Sequence, residues 1–258
     1  MKLEIIVSTL QDGIYNLKFS DKFHYLVIHQ IPAVSDNEKY KRYSLTFPCN
    51  VKYIQSNTKG LSISRNIGFN NSTADYIWIM DDDVVVLEDS LTKFYKLLSA
   101  FPEFDMYIVE HSNTLSQPKS HKKCKIVNYY SAMSISSIDM IIKKSSINKI
   151  HFDEQFGLGT NYPSGEEYIF AIDMLKSKKK LLKVFDVYSY HPGVSSGYDF
   201  FSTRNKLEAK LAMFSRCFGP FWGRVLYVLF ITKKMKTLIK NRKIKNAVEV
   251  IFQKNISF

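Results

Sequence analysis

Cysteine is scarce in this 258-residue chain, and Cys49, Cys124 and Cys217 are odd in number and far apart. That spacing excludes a disulfide framework and a zinc knuckle, and it suits a reducing, cytosolic compartment. Long apolar runs are lacking too. Leu3-Glu4-Ile5-Ile6-Val7, near the start, carries a charge and is too short for a secretory hydrophobic region. Phe218–Thr232, apolar apart from Arg224, falls short of the roughly twenty residues that span a bilayer. Glycine is thin where a phosphate-cradling loop would need it, since Leu10-Gln11-Asp12-Gly13-Ile14 holds one. Acidic residues are nearly absent from the end of the chain. Residues 201–258 carry thirteen Lys/Arg against Glu208 and Glu249, whereas the first 200 residues are almost balanced. A neutral body with a basic tail implies two different partners.

What is present is globular: 45% of residues are hydrophobic, with nineteen Phe and sixteen Tyr. Short apolar runs at Glu4–Thr9, His24–His29, Val51–Ile54 and Tyr76–Met80 predict buried strands. Ser62–Asn71 and Glu88–Ser99 predict helices, the second with Leu91, Phe94, Tyr95 and Leu98 on one face and a stop near Phe101-Pro102. Met106–Glu110 and Tyr129–Ser136 are expected as strands around a polar loop (Ser112–Lys125), followed by a helix over Ser164–Lys176 and a strand at Leu181–Val187. Alternating strands and helices predict an α/β fold, a mixed and mostly parallel sheet flanked by helices. A composition change near Phe200 divides it into a catalytic domain (1–200) and a basic helical appendage (201–258).

The strand at Tyr76–Met80 runs into Asp81-Asp82-Asp83, then Val84-Val85-Val86. Adjacent carboxylates repel one another, and the flanking residues supply no cation. An extended backbone would turn Asp81 and Asp83 one way and Asp82 the other. A hard divalent cation would relieve the repulsion and bridge to phosphate oxygens. Open α/β sheets also bind ligands at the carboxyl ends of their strands. The alternative is a solvated turn in which one Asp caps the next helix.

Upstream lies Asn57-Thr58-Lys59-Gly60-Leu61-Ser62-Ile63-Ser64-Arg65-Asn66-Ile67-Gly68, and Ala74-Asp75-Tyr76-Ile77 leads into the aspartates. Over some thirty residues this order resembles the family 2 glycosyltransferases of the nucleotide-diphospho-sugar transferase (GT-A) fold, whose strand ends in a DXD motif. The resemblance implies that Asp83 ligates a divalent cation (Mn2+ or Mg2+), that Asp81 and Asp82 contact the ribose or share the metal, and that Arg65 lies against the nucleotide. The alternative local reading of Arg65 is a surface helix arginine. Ser8-Thr9 matches the strand end that approaches the nucleobase. The second strand departs from the family, ending His29-Gln30 where an Asp is usual, so that Gln30 is left to meet a uracil edge.

A second signature resembles the same family: Phe152-Asp153-Glu154-Gln155-Phe156-Gly157, then Ser164-Gly165-Glu166-Glu167. It implies that Glu167, with Glu166 as substitute, is the general base. Read locally, Ser164–Glu167 is also a capping box. His191, after a predicted strand, matches the family's metal-binding histidine, while His111, His121 and His151 lack any such context. Together these imply an inverting enzyme that moves a hexosyl or N-acetylhexosaminyl group from a nucleotide sugar, UDP-linked, to a glycan or polyprenyl-linked oligosaccharide in surface polysaccharide synthesis. A non-catalytic sugar-nucleotide or glycan binder of the same fold is the alternative. A nucleotidyltransferase would need the missing glycines. The tail, apolar and then rich in lysine, predicts either a helix on an anionic membrane, peripheral on the inner face, or a helical pair packed on the domain. Its aromatics Phe218, Phe221 and Trp222 are grouped apart from the lysines, which argues against nucleic acid.

Overall fold

The computed structural model describes residues 1–32, 37–114, 124–191 and 199–253. Pro192-Gly193, and most of the polar loop including His121, lie outside the described residues. The chain falls into two compact units. The first comprises Met1–Lys59, Ile63–His151 and Met174–Gly193; the second comprises Gly60–Ser62, Phe152–Asp173 and Val194–Phe258.

The first unit holds the sheet. Strands β1 (Leu3–Leu10), β2 (His24–Gln30), β3 (Val51–Ser56) and β4 (Tyr76–Asp81) pair in parallel in the order β3-β2-β1-β4. Beyond β4 the sheet continues through β8 (Met140–Lys143), β6 (Met106–Ser112) and β9 (Leu181–Tyr190) to β5 (Val85–Val86). The short β7 (Lys125–Ile126) also pairs with β9. β8 runs antiparallel to both neighbours, whereas β6 and β9 are parallel, so the sheet is mixed and mostly parallel.

Strand alternation explains the two faces. Ile5, Val7, Trp78 and Met80 pack with Phe94, Leu97 and Leu98 of the helix at Ser90–Ala100. Ile6 points to the opposite face, where Gly68 of the helix Leu61–Asn71 lies so close that a Cβ there would sit 2.4 Å from it. We number the helices α1 (Asn37–Ser44), α2 (Leu61–Asn71), α3 (Ser90–Ala100) and α4 (Glu166–Lys176). The tail of the second unit adds α5 (Arg204–Phe218), α6 (Pro220–Lys233), α7 (Met235–Lys240) and α8 (Ile244–Ile251). Gly219, at φ +82, ends α5, and Pro220 opens α6, where its missing amide and fixed φ suit a first helical position.

Two expectations are corrected. Tyr129–Ser136 is not a strand: the backbone amide of Ser131 donates to the Asn128 side chain, and the amide of Asn128 donates to the Ser131 hydroxyl, each at 2.9 Å. These local bonds compete with a ladder and turn the chain into 3-10 turns, and the strand lies at Met140–Lys143 instead. On α3 the buried face includes Leu97 in place of Tyr95, whose hydroxyl reaches outward to the Met1 carbonyl.

Candidate active site

The three aspartates do not stand as one unpaired cluster. β4 ends at Asp81 and the chain turns at Asp82-Asp83, so the expected extended alternation gives way to three separate directions. Asp81 accepts from the Arg65 guanidinium at 3.3 Å. Asp82 accepts from the Thr9 hydroxyl at 2.6 Å. Asp83 faces His191, with Oδ2 and Nε2 3.1 Å apart. The missing cation was therefore not missing. It comes from α2, sixteen residues upstream, where Arg65 is fully buried and also donates to the Ser137 hydroxyl at 2.7 Å. Burial excludes the surface-arginine alternative.

Asp82 sits in a tight place. A Cβ on Gly13 would lie 2.2 Å from its Oδ2, so only glycine leaves the room. Burial pushes its carboxyl above the ordinary range, the Thr9 hydroxyl pulls it back, and the charges of Asp81 and Asp83 raise it further. Ser8, beside it on β1, accepts from the Ser64 hydroxyl at 2.9 Å. Gln30, at the end of β2, donates to the Thr58 hydroxyl at 3.0 Å. Ser8, Thr9, Gln30, Arg65 and all three aspartates thus gather at the carboxyl ends of β1, β2 and β4 or on the helix beside them.

Strand pairing explains how His191 arrives. After the turn, Val85-Val86 doubles back antiparallel against the end of β9, with Val85 opposite Tyr190. The next residue of that strand is His191, whose amide is tied to the Ser112 carbonyl. Its Nδ1 is buried with no partner among the described residues, and Nε2 is the nitrogen that meets Asp83. Two ligands about 2.1 Å from an octahedral cation and at right angles to one another lie about 3.0 Å apart. The Asp83–His191 pair fits that spacing. Among the described residues no group of three His, Cys, Asp or Glu is assembled, so water and phosphate oxygens would fill the other positions, as is usual for Mg2+.

Sequence reasoning missed His111 and Asp139. His111, near the end of β6, stands edge-on to His191 at 6.0 Å between ring centres. Its Nδ1 lies 3.0 Å from Asp139, which lifts the imidazole above its ordinary pKa. Only the order of strands in the sheet could have found this pair. A groove of about 570 Å³, lined by Asp75, Tyr76 and Lys144 among others, opens at the amino end of β4 and contains none of the site residues.

In the second unit, α4 starts at Glu166. Gly165, at φ +110, accepts the first helical bond from the Ile169 amide, so Ser164 stands outside the cap position that the local reading gave it. Glu166 is buried, close to Gly157, where a Cβ would lie 3.5 Å from its Oε1. Glu167 is half-buried. Lys210 of α5 faces both carboxylates; burial pushes its ammonium down, while Glu167 and then Glu166 oppose that shift. Asp153 of the second signature is structural, because Arg216 binds it at 2.9 Å and grips Asp173 of α4 with two nitrogens.

Residues 34–152 match the family described as glycosyl transferase family 2, a stretch that holds Arg65 and Asp81–Asp83. The chain has a GT-A-like fold, a mixed sheet flanked by helices as in solved structures of that fold. Among solved glycosyltransferase-fold structures, Staphylococcus aureus TarS 1-349 in complex with UDP-GlcNAc aligns over 97% of this chain and 79% of its own, at TM-score 0.61 and 14% identity. The mannosyltransferase PcManGT from Pyrobaculum calidifontis, in complex with GDP-Man and Mn2+, aligns over 96% of this chain and 73% of its own, at TM-score 0.58 and 14% identity. Against the longer TarS chain, this one spans 43% of the length. No curated protein sequence matches it significantly.

Proposed function

We propose that the chain is an inverting, cation-dependent glycosyltransferase. It takes a hexosyl or N-acetylhexosaminyl group from a nucleoside diphosphate sugar, UDP-linked, and passes it to a glycan or polyprenyl-linked oligosaccharide of a surface polysaccharide. The observation that carries this reading is the Asp83–His191 pair at the carboxyl edge of the sheet. The solved structures of similar fold hold UDP-GlcNAc in one case and GDP-Man with Mn2+ in the other, which supports the donor class.

Asp83 and His191 would hold Mn2+ or Mg2+, and the cation supplies Lewis-acid stabilisation to the departing diphosphate. Ser8, Thr9 and Gln30 receive the nucleoside, with Gln30 offering an amide to the base edge. Asp81 and Asp82 line the ribose side, and Arg65 holds Asp81 in place through the ion pair. Glu167 takes the proton from the acceptor hydroxyl as it attacks, with Glu166 as the second candidate. A helix N-terminus favours the ionised carboxylate that this role requires. Single-step attack from the far side inverts the anomeric carbon. The location that suits such an acceptor is cytoplasmic, peripheral on the inner face of the membrane.

The experiment separates binding from turnover. Asp83→Asn should lose cation-dependent binding of the nucleotide sugar, measured by calorimetry, whereas Glu167→Gln should bind donor normally and fail to transfer. Asp83→Asn protein that binds donor and Mn2+ as well as the parent would overturn the cation assignment. A parent protein that binds donor yet neither transfers nor hydrolyses it would favour the non-catalytic binder.

A further inference from the structure

Helix α6 is built the wrong way round for a helix in water. Its inward stripe is Gly223, Tyr227 and Ile231, spaced four residues apart. A Cβ on Gly223 would lie 2.4 Å from the Ser215 Cα, so α6 rests directly on the backbone of α5. Tyr227 donates to the Ala247 carbonyl of α8, which secures the same side. The outward side should then be polar, and it is not. Phe221 and Trp222 are 71% and 61% exposed, and Leu229 is 61% exposed about two turns further on. The charge within this stretch, Arg224, folds back and donates to the Pro220 and Gln253 carbonyls. Downstream, Ile239 of α7 and Phe252, just past α8, are exposed apolar residues as well.

The same tail carries cations with little to balance them. Lys236, Lys240, Arg242 and Lys245 are exposed, and no acidic residue occurs between Glu208 and Glu249. Among the described residues no helix is long and apolar enough to cross a membrane. We infer that the outward face of α6, with the lysines of α7 and α8, docks on an anionic lipid surface. Phe221, Trp222 and Leu229 enter the acyl boundary, and the lysines meet the headgroups. Charge complementarity selects this occupant: an apolar face alone would suit any greasy partner, whereas one on a tail of exposed, unbalanced lysines suits a negatively charged interface. The inference rests on the membrane location proposed above only in the choice of lipid, and it needs no transfer activity.

The chain carries its own probe. It has two tryptophans, and Trp78 is fully buried, so a change in emission on adding lipid reports Trp222. With the full chain, vesicles containing phosphatidylglycerol should shift the emission to the blue, whereas pure phosphatidylcholine vesicles should shift it far less. Trp222→Phe should remove the shift. Phe221→Ser with Leu229→Ser should weaken co-sedimentation at least about tenfold. Changing Lys236, Lys240 and Lys245 to Gln should weaken it by roughly fivefold per lysine, with a smaller salt dependence. Donor binding, measured on the same variants, should not change, so a failed glycosyltransferase assignment would show separately. No shift with anionic vesicles would overturn the inference. So would equal affinity for neutral lipid, a lipid-free shift that grows with protein concentration (a second copy covers the face), or equally tight binding to RNA.

Discussion

The two acidic stretches solve the same electrostatic problem in opposite ways. At the end of β4, three neighbouring carboxylates are parted by a turn, and each receives its own partner from a different element: Arg65, Thr9 and His191. At the start of α4, two neighbouring carboxylates share one lysine, Lys210, which burial itself disfavours as a charge. The first arrangement fixes each side chain individually, as suits a rigid binding edge. The second sets two carboxylates at a helix N-terminus against one partly covered lysine.

Substitutions sharpen that contrast. The largest effect belongs to Glu167→Gln, which should lower turnover by about two to four powers of ten with donor affinity intact. Arg65→Met comes next. It removes a fully buried guanidinium, yet Asp81 is 37% exposed and can turn to water, so the expected loss is about 1–3 kcal/mol by denaturant unfolding. Lys210→Gln should act on pH and not on affinity. Without the cation the α4 carboxylates bind protons more readily, so the acid limb of the pH–rate profile should move to higher pH. An unmoved limb would mean that Lys210 does not govern the base.

The smallest effect concerns His29, a buried imidazole held by the Gln11 carbonyl and the Tyr53 hydroxyl, each at 2.8 Å. Burial holds its pKa below the ordinary 6.5. The unfolded chain therefore binds the proton first, and the stability gained from a neutral His29 is complete above pH 6.5 and is lost as pH falls from there through the folded value. The melting temperature should drop over that window, and His29→Gln should flatten the drop.

Much of the sheet unit was legible because its signals are local. Runs such as Ile77-Trp78-Ile79-Met80 announce strands, and Pro102 announces the end of α3. The role of Arg65 was not legible, because nothing in the order of residues says that an arginine sixteen positions upstream folds onto Asp81. Tyr129–Ser136 misled for a related reason: its strand-like composition is overruled by reciprocal hydrogen bonds between Asn128 and Ser131. His111 and Asp139 stayed hidden because only the adjacency of β6, β8 and β9 brings them beside His191.

The pairing of Val85 with Tyr190 has a kinetic corollary. Asp83 and His191 are 108 positions apart, and they meet only after the last strand of the sheet has been laid down. Such distant closure comes late in folding, because the intervening loop must first surrender its entropy. A nascent or clipped polypeptide ending before residue 181 would hold Asp83 but not its imidazole partner, and so could not assemble the proposed pair.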